Sequence, residues 1–322
     1  MPKLGCVASP GAHRYLARVS DNPPTLGRKL GWRLEALGYD LVSALVRALP
    51  LDAASGLGGA IVGFLGPLTG KHRIVRRNLE LAFPEKTPSE REAIAREFWR
   101  KIGRTFAEFP VIDRIVADPG RIQMVHRERL EALVGSANPI VLFSGHLSNW
   151  EAMIAVIARS GLDFHASYRP ANNPYMDGRI IESRRRYGVR LFSARGAQGT
   201  RGLIAALSKG GAVALLNDQR DSSGVEAPFF GRSVWTASGP AQLALKYGRR
   251  LQPMSVERLR GARFRVTVHE PIELEVTGDR TADLAAAVGR INAFIEACIR
   301  KRPAEWLWAH RRWPVTLYGE DR

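Results

Sequence analysis

The chain of 322 residues is poor in cysteine, in acid and in long apolar runs. Its two cysteines, Cys6 and Cys298, offer neither a disulfide framework nor a metal-ligand cluster, so a reduced setting is the default expectation. The 31 acidic residues fall well short of the 48 lysines and arginines. The resulting net charge of +17 predicts attraction to polyanions such as anionic lipid, acidic protein or nucleic acid. No uninterrupted apolar stretch reaches the ~18 to 20 residues of a confident transmembrane helix. Charge and proline at the N-terminus argue against a secretory signal. Internal repeats, low-complexity tracts and a Gly-x-Ser-x-Gly nucleophile elbow are missing as well. These absences leave a basic globular chain with no enzyme-borne serine or cysteine nucleophile in evidence.

Residues 1 to about 25 read as a loose tail rich in Pro, Gly and Arg. From Lys29 to Leu49, apolar residues such as Trp32, Leu34, Leu37, Leu41 and Leu45 recur at helical spacing among Arg28, Arg33 and Arg47. A glycine-rich apolar segment follows, Leu57 to Leu68, too short to span a bilayer. Both suit either core helices or an interfacial membrane anchor. After the basic Lys71 to Arg77, Thr87-Pro88-Ser89-Glu90 opens a further helix that continues through Phe109. A polar stretch, Asp118 to Arg129, precedes a change of pattern.

Strand candidates then alternate with helices. The strands are Ile140–Phe143, Phe164–Tyr168, Val189–Phe192, Ala212–Leu216, Leu251–Glu257 and Phe264–His269. The helices are Glu151–Ala158, Tyr175–Tyr187, Gly199–Ser208, Ser238–Tyr247 and Thr281 to about Lys301. The pattern predicts an α/β fold with a mixed, largely parallel central sheet flanked by helices, and a helical N-terminal membrane-associating region. The last pair of strands reads as a hairpin at one edge. Residues 1–70 form the basic, apolar helical region and 71–322 the α/β domain.

The chemistry concentrates in Ser144-Gly145-His146-Leu147-Ser148-Asn149-Trp150-Glu151, at the turn between a buried strand and a helix. Ligands bind at such carboxyl ends of strands in open α/β sheets. His146 and Glu151 would lie on nearly opposite faces of an unbroken helix, so they cooperate only if the helix starts between them. Ser148 as N-cap permits this and points Glu151 back toward His146. A carboxylate on one imidazole nitrogen leaves the other as a general base, and free amides at the helix start suit a developing oxyanion. The same Ser148-x-x-Glu151 spacing also matches a plain capping box, in which Glu151 serves the Ser148 amide. With no nucleophile nearby, His146 as base would activate the hydroxyl of a substrate directly.

Gly145-His146-Leu147-Ser148-Asn149-Trp150-Glu151 resembles the His-x-x-x-x-Glu motif of the bacterial lipid A biosynthesis acyltransferases, secondary enzymes of lauroyl or myristoyl type related to the glycerolipid acyltransferases. Ordered matches extend the resemblance from about residue 70 to 314. They comprise Arg76-Arg77-Asn78-Leu79 with Phe83-Pro84-Glu85, Tyr168-Arg169-Pro170, Asn217-Asp218-Gln219, Pro228-Phe229-Phe230-Gly231 with Thr236, and Glu305 through Trp313. The resemblance implies an acyl-thioester donor, acyl carrier protein or CoA, as co-substrate without a further cofactor or metal, and a lipid A precursor as acceptor. It makes His146 the base and Glu151 its orienting carboxylate. Arg169 and Asp218 become active-site support, through phosphate or thioester contact or as a mutual ion pair. Asn149, Arg311 and Arg312 fall inside matched blocks and are carried over as support. Position 148, often glycine in that family, is serine here.

Residues 179 to 201 hold seven arginines against one acid, Glu182. Anionic membrane lipid, acceptor phosphates or the acidic face of a carrier protein suit them. Nucleic acid is not expected, because no recognition helix, zinc spacing or stacking platform accompanies the charge. Trp306, Trp308 and Trp313, interleaved with His310, Arg311 and Arg312, suit either core packing with outward arginines or a substrate channel. The expected location is the cytoplasmic face of the inner membrane, peripheral or N-terminally anchored. Two other readings stay open: the same chemistry on another glycolipid or a lysophospholipid, and a non-catalytic protein binding anionic membranes.

Overall fold

A computed structural model of the chain describes residues 25–194, 197–248 and 250–319. The expected N-terminal tail, Cys6 and Arg195 lie outside the described residues. Helix α1 (Leu26–Ala48) starts at Thr25, whose side chain accepts from the Arg28 amide, and α2 (Leu51–Leu65) runs on into a 3-10 turn at Gly66–Leu68. The basic segment expected before the next helix is itself a helix, α3 (Lys71–Ala82). Helix α4 (Pro88–Glu108) opens at the expected Thr87-Pro88-Ser89-Glu90, where Thr87 and Glu90 form a capping box, and α5 (Ile112–Ala117) follows.

The glycines of α2 have a packing role. A methyl group at Gly58 would lie 2.4 Å from the Ala107 Cβ and 2.7 Å from the Gly103 carbonyl, so α2 and α4 can cross only with glycine at the contact. The opposite face of α2 stays in solvent at Leu57, Ile61, Phe64 and Leu65, and Leu68 of the 3-10 turn continues it. On α1, Leu30, Leu34, Leu37, Leu41 and Leu45 are exposed, and only Ala36 and Val46 are buried. The expectation that the second apolar segment is too short to span is corrected. The helix begins at Leu51, and Leu51–Leu68, at 18 residues, is long and apolar enough to cross a membrane by length and composition.

The remaining elements are β1 (Ile122–Val125), α6 (Arg127–Glu131), β2 (Ile140–Ser144), α7 (Trp150–Arg159), β3 (Phe164–Tyr168), α8 (Pro174–Arg186), β4 (Leu191–Ala194), α9 (Ala197–Ser208), β5 (Ala212–Leu216), β6 (Arg220–Phe229), β7 (Arg232–Thr236), α10 (Gly239–Tyr247), β8 (Arg250–Arg258), β9 (Phe264–Val268), β10 (Ile272–Glu273) and α11 (Arg280–Lys301). The central sheet runs β1-β9-β8-β2-β5-β3-β4, with β10 added beside β8. All its pairings are parallel except β8 with β9 and β8 with β10. The fold is therefore α/β, with a mixed, largely parallel sheet flanked by helices.

The expected hairpin is β8 with β9, but it does not form the edge. The four residues of β1, inside the polar stretch where no strand was expected, pair with β9 and take that place. The β6 and β7 hairpin, separate from the main sheet, was not expected. Parallel pairing of β2 with β5 sets Ser144 opposite Leu216, so the residues that follow each strand emerge side by side. That register joins Gly145-His146 to Asn217-Asp218, and the Asn217 amide donates to the Ser144 carbonyl at 2.9 Å.

Candidate active site

Every residue from Ile140 to Ala155 is buried except His146, whose side chain keeps 17% exposure. Its Nδ1 lies 2.6 Å from Asp218 Oδ1, while its backbone N–H donates to Oδ2 at 2.7 Å. Trp306 completes the carboxylate: its indole Nε1–H donates to Oδ2 at 2.6 Å. Burial pushes the Asp218 carboxyl up, but the imidazole and amide of His146 more than offset that and hold it well below the usual carboxylate range. A carboxylate in this state fixes the proton on Nδ1 and leaves Nε2, which has no hydrogen bond among the described residues, as the basic nitrogen. The Trp150 ring meets the imidazole edge to face at 5.0 Å and limits its rotation.

The structure corrects the expected role of Glu151 as the partner of His146. Glu151 is buried and turned to α8, accepting from Arg184 Nε at 3.0 Å and Nη2 at 2.5 Å, and from the Tyr187 hydroxyl. Burial raises the Glu151 carboxyl and Arg184 more than offsets it, so its pKa lies below the ordinary value. His146 and Glu151 stay apart although α7 does begin between them, and the cap lies one residue beyond the expected one. Asn149, not Ser148, is the N-cap, its Oδ1 accepting from the Ala152 amide at 3.3 Å. Ser148 has φ +45°, a left-handed conformation that favours glycine, and its amide donates to the Glu305 carbonyl at 2.6 Å. The capping-box alternative is therefore not formed either. Of the helix-start amides expected to face an oxyanion, those of Ser148 and Ala152 are already bonded within the protein.

Asn149 faces away from the imidazole, toward a buried network. Its Nδ2 donates to Glu108 Oε2 at 2.8 Å, and Arg258 grips the same carboxylate through both terminal nitrogens at 2.5 and 2.8 Å. Ser55 of α2 donates to Glu108 at 2.6 Å. Arg169, just past β3, is exposed and makes no hydrogen bond or ion pair among the described residues, so the expected pair with Asp218 is not present. Arg312 is fully buried behind the site, donating to the Trp235 carbonyl at 3.0 Å and to Thr236 Oγ1 at 2.7 Å. Burial pulls its pKa down to about 10. Arg311 lies over the Tyr318 ring at 5.8 Å.

Trp306, Trp308 and Trp313 are fully buried, which decides for core packing over a channel wall. They join Phe83, Phe229 and Phe230 in one aromatic cluster, with Trp306 5.8 Å from Phe229 and Phe83 5.3 Å from Phe230. Three distant sequence blocks thus meet behind Asp218. The arginine-rich segment is partly spent internally, because Arg179 pairs with Asp40 of α1 and Arg184 with Glu151. Arg190 and Arg201 remain exposed.

Beside the site, between α7 and the sheet, runs a narrow slot with an enclosed volume of about 20 Å³, room for roughly one water. Leu142, Met153, Ile157, Ala214 and Met254 line it, and Arg184 is its one charged lining residue. Arg184, Tyr187 and the bond from Trp306 to Asp218 carried no distinguishing sequence signal. Asp218 did, through its place immediately after a buried strand.

A model of the family described as bacterial lipid A biosynthesis acyltransferase matches residues 34–314. The chain is 28% identical to the lipid A biosynthesis palmitoleoyltransferase of Escherichia coli K12, over 85% of this chain and 89% of that protein. It is 26% identical to the lipid A biosynthesis lauroyltransferase of the same organism, over 91% of this chain and 92% of the relative. A phosphatidylinositol mannoside acyltransferase of Mycolicibacterium smegmatis is 25% identical, over 91% and 96%.

Proposed function

Because the chain belongs to the bacterial lipid A biosynthesis acyltransferase family, we propose that this O-acyltransferase moves a fatty acyl chain from an acyl carrier protein thioester to a hydroxyl of a lipid A precursor. His146 is the general base and Asp218 the carboxylate that orients it. Nε2 takes the hydroxyl proton as the acceptor oxygen attacks the thioester carbonyl. The tetrahedral intermediate collapses with cleavage of the C–S bond, and the proton passes from the imidazolium to the departing sulfur. The products are an ester and a free thiol. The negative charge of Asp218 stabilises the transient imidazolium. Widening of the closed apolar slot between α7 and the sheet would give the acyl chain a lining.

The observation that carries this reading is that His146 alone emerges from an otherwise buried stretch, with Nδ1 committed to a buried acid. His146→Ala and Asp218→Asn are each expected to lower kcat on the order of 10²- to 10⁴-fold in an acyl carrier protein assay. Parental rates in both variants would refute the assignment. Glu151→Gln separates the carboxylates: it disturbs the Arg184 grip and slot, so its effect falls on KM and stability more than on proton transfer.

A second acceptor class rests on the near-equal likeness to a phosphatidylinositol mannoside acyltransferase. Assays offering a lipid A precursor, a mannosylated phospholipid and a lysophospholipid in parallel, each with acyl carrier protein and CoA thioesters, distinguish donor and acceptor. Location at the cytoplasmic face of the inner membrane fits a carrier-protein donor and the exposed leucines of α1 and α2.

A further inference from the structure

We propose that Trp306 is a positioning residue for the reaction, holding Asp218 in the orientation that His146 requires. The proposal rests on the assignment of His146 and Asp218 above. The carboxylate has separate tasks for its oxygens. Oδ1 faces the imidazole Nδ1, and Oδ2 takes two N–H donors, the His146 amide at 2.7 Å and the Trp306 indole at 2.6 Å. Asp218 is 1% exposed, so water cannot replace a missing donor easily. With the indole N–H gone, one fixed donor would remain on Oδ2, and the carboxylate could rotate about its Cβ–Cγ bond.

Trp306 is suited to the task because its backbone is tied to the same turn that carries His146. Leu147 and Trp306 form an antiparallel bridge, in which the Ser148 amide donates to the Glu305 carbonyl at 2.6 Å and the Leu307 amide to the His146 carbonyl at 3.2 Å. Neighbouring contacts fix the strap. The Glu305 carboxylate accepts from Lys101 at 2.7 Å and from the Arg258 amide at 2.9 Å. Further along, Asn78 Nδ2 donates to the carbonyls of Trp308 and His310 at 2.6 and 2.7 Å. One segment therefore sets the backbone beside His146 and the side chain beside Asp218. A phenylalanine could fill the aromatic cluster but could not donate.

The test replaces Trp306 with Phe and, in a second protein, with 3-benzothienylalanine, which keeps the bicyclic shape and has sulfur in place of N–H. Both are assayed with acyl carrier protein thioesters and a lipid A precursor, beside His146→Ala and the parent. The expected result is a kcat lowered about tenfold or more, a KM within about twofold, and an unchanged melting temperature for the benzothienyl protein. A carboxylate free to turn away from the imidazole stabilises the imidazolium less, so the acid limb of the kcat/KM profile moves to lower pH in both proteins. A parental kcat and profile in the benzothienyl protein would overturn the proposal, as would activity that falls only with the folded fraction while the profile stays put. A fully active His146→Ala would instead overturn the underlying assignment.

Discussion

Gly145 lies so close to Asp218 that a methyl group on its Cα would sit 3.2 Å from Oδ2, and equally near the Ile295 Cγ2. The contact is tight rather than impossible, so a larger residue displaces the carboxylate by a few tenths of an ångström without unfolding the sheet. Misplacement on that scale is costly where a proton moves along a short hydrogen bond. Gly145→Ala is expected to lower kcat roughly tenfold to a hundredfold with little change in melting temperature. Steady-state kinetics and a thermal melt on the same sample check both halves.

The pairing of His146 with Asp218 also shows what a one-dimensional reading can and cannot reach. His146 was legible because a polar, titratable residue follows the apolar run Ile140–Phe143, and buried parallel strands read as such runs. Its pairing with Asp218 was not legible, since positions 72 apart in the chain come together only when β5 is known to lie beside β2. Ser148 and Asn149 are both good caps by residue type, and only the backbone, with φ +45° at Ser148, assigns the cap to Asn149. The β6 and β7 hairpin escaped notice because Ser222, Ser223 and Gly224 interrupt alternation at the bulged start of β6. Strand β1 has four residues in a polar stretch and owes its existence to the ready edge of β9.

Glu108 and Arg258 form a buried ion pair that ties α4 to β8, while Ser55 brings in α2 and Asn149 the start of α7. Removing one partner strands the other charge, which costs about 3–5 kcal/mol. Glu108→Ala should therefore lower the melting temperature by roughly ten degrees. Glu108→Leu combined with Arg258→Met removes both charges together and is expected to be milder than either single change. Comparing the melting temperatures of the double and single variants measures that difference.

His310 stands beside the Trp306 ring at 5.2 Å with both ring nitrogens enclosed, and burial pushes its pKa from 6.5 down to about 4. A histidine lowered on folding binds its proton more readily in the unfolded chain, so stability rises with pH between the folded and unfolded values. The contribution is complete above about pH 6.5 and declines as the pH falls toward 4. At ~1.4 kcal/mol per pH unit, the loss reaches about 3 kcal/mol at most. His310→Gln should flatten this part of the stability curve. His269, lowered to about 4 by burial, retains its share in the variant. Denaturant melts across this pH interval decide the matter: equal slopes for parent and variant would count against the enclosed, neutral imidazole.

The exposed face of α1 gives a test of membrane contact that leaves the chemistry intact. Leu34 is 60% and Leu41 72% exposed, and α2 adds Phe64 at 73%, so these side chains have little protein to cover them. Arg28 and Arg33 lie on the same helix, in the arrangement that favours an anionic interface. Moving a leucine side chain from lipid to water costs about 1.5–3 kcal/mol, and a glutamate there adds repulsion from anionic head groups. Leu34→Glu with Leu41→Glu is expected to weaken partition onto anionic vesicles about a hundredfold or more, from those two transfers alone. Turnover on acceptor dispersed in detergent should stay near the parental rate, because neither leucine contacts His146, Asp218 or the slot. Vesicle flotation and the detergent assay together separate anchoring from catalysis. If the double variant floats with vesicles as fully as the parent, the α1 face is not the contact surface.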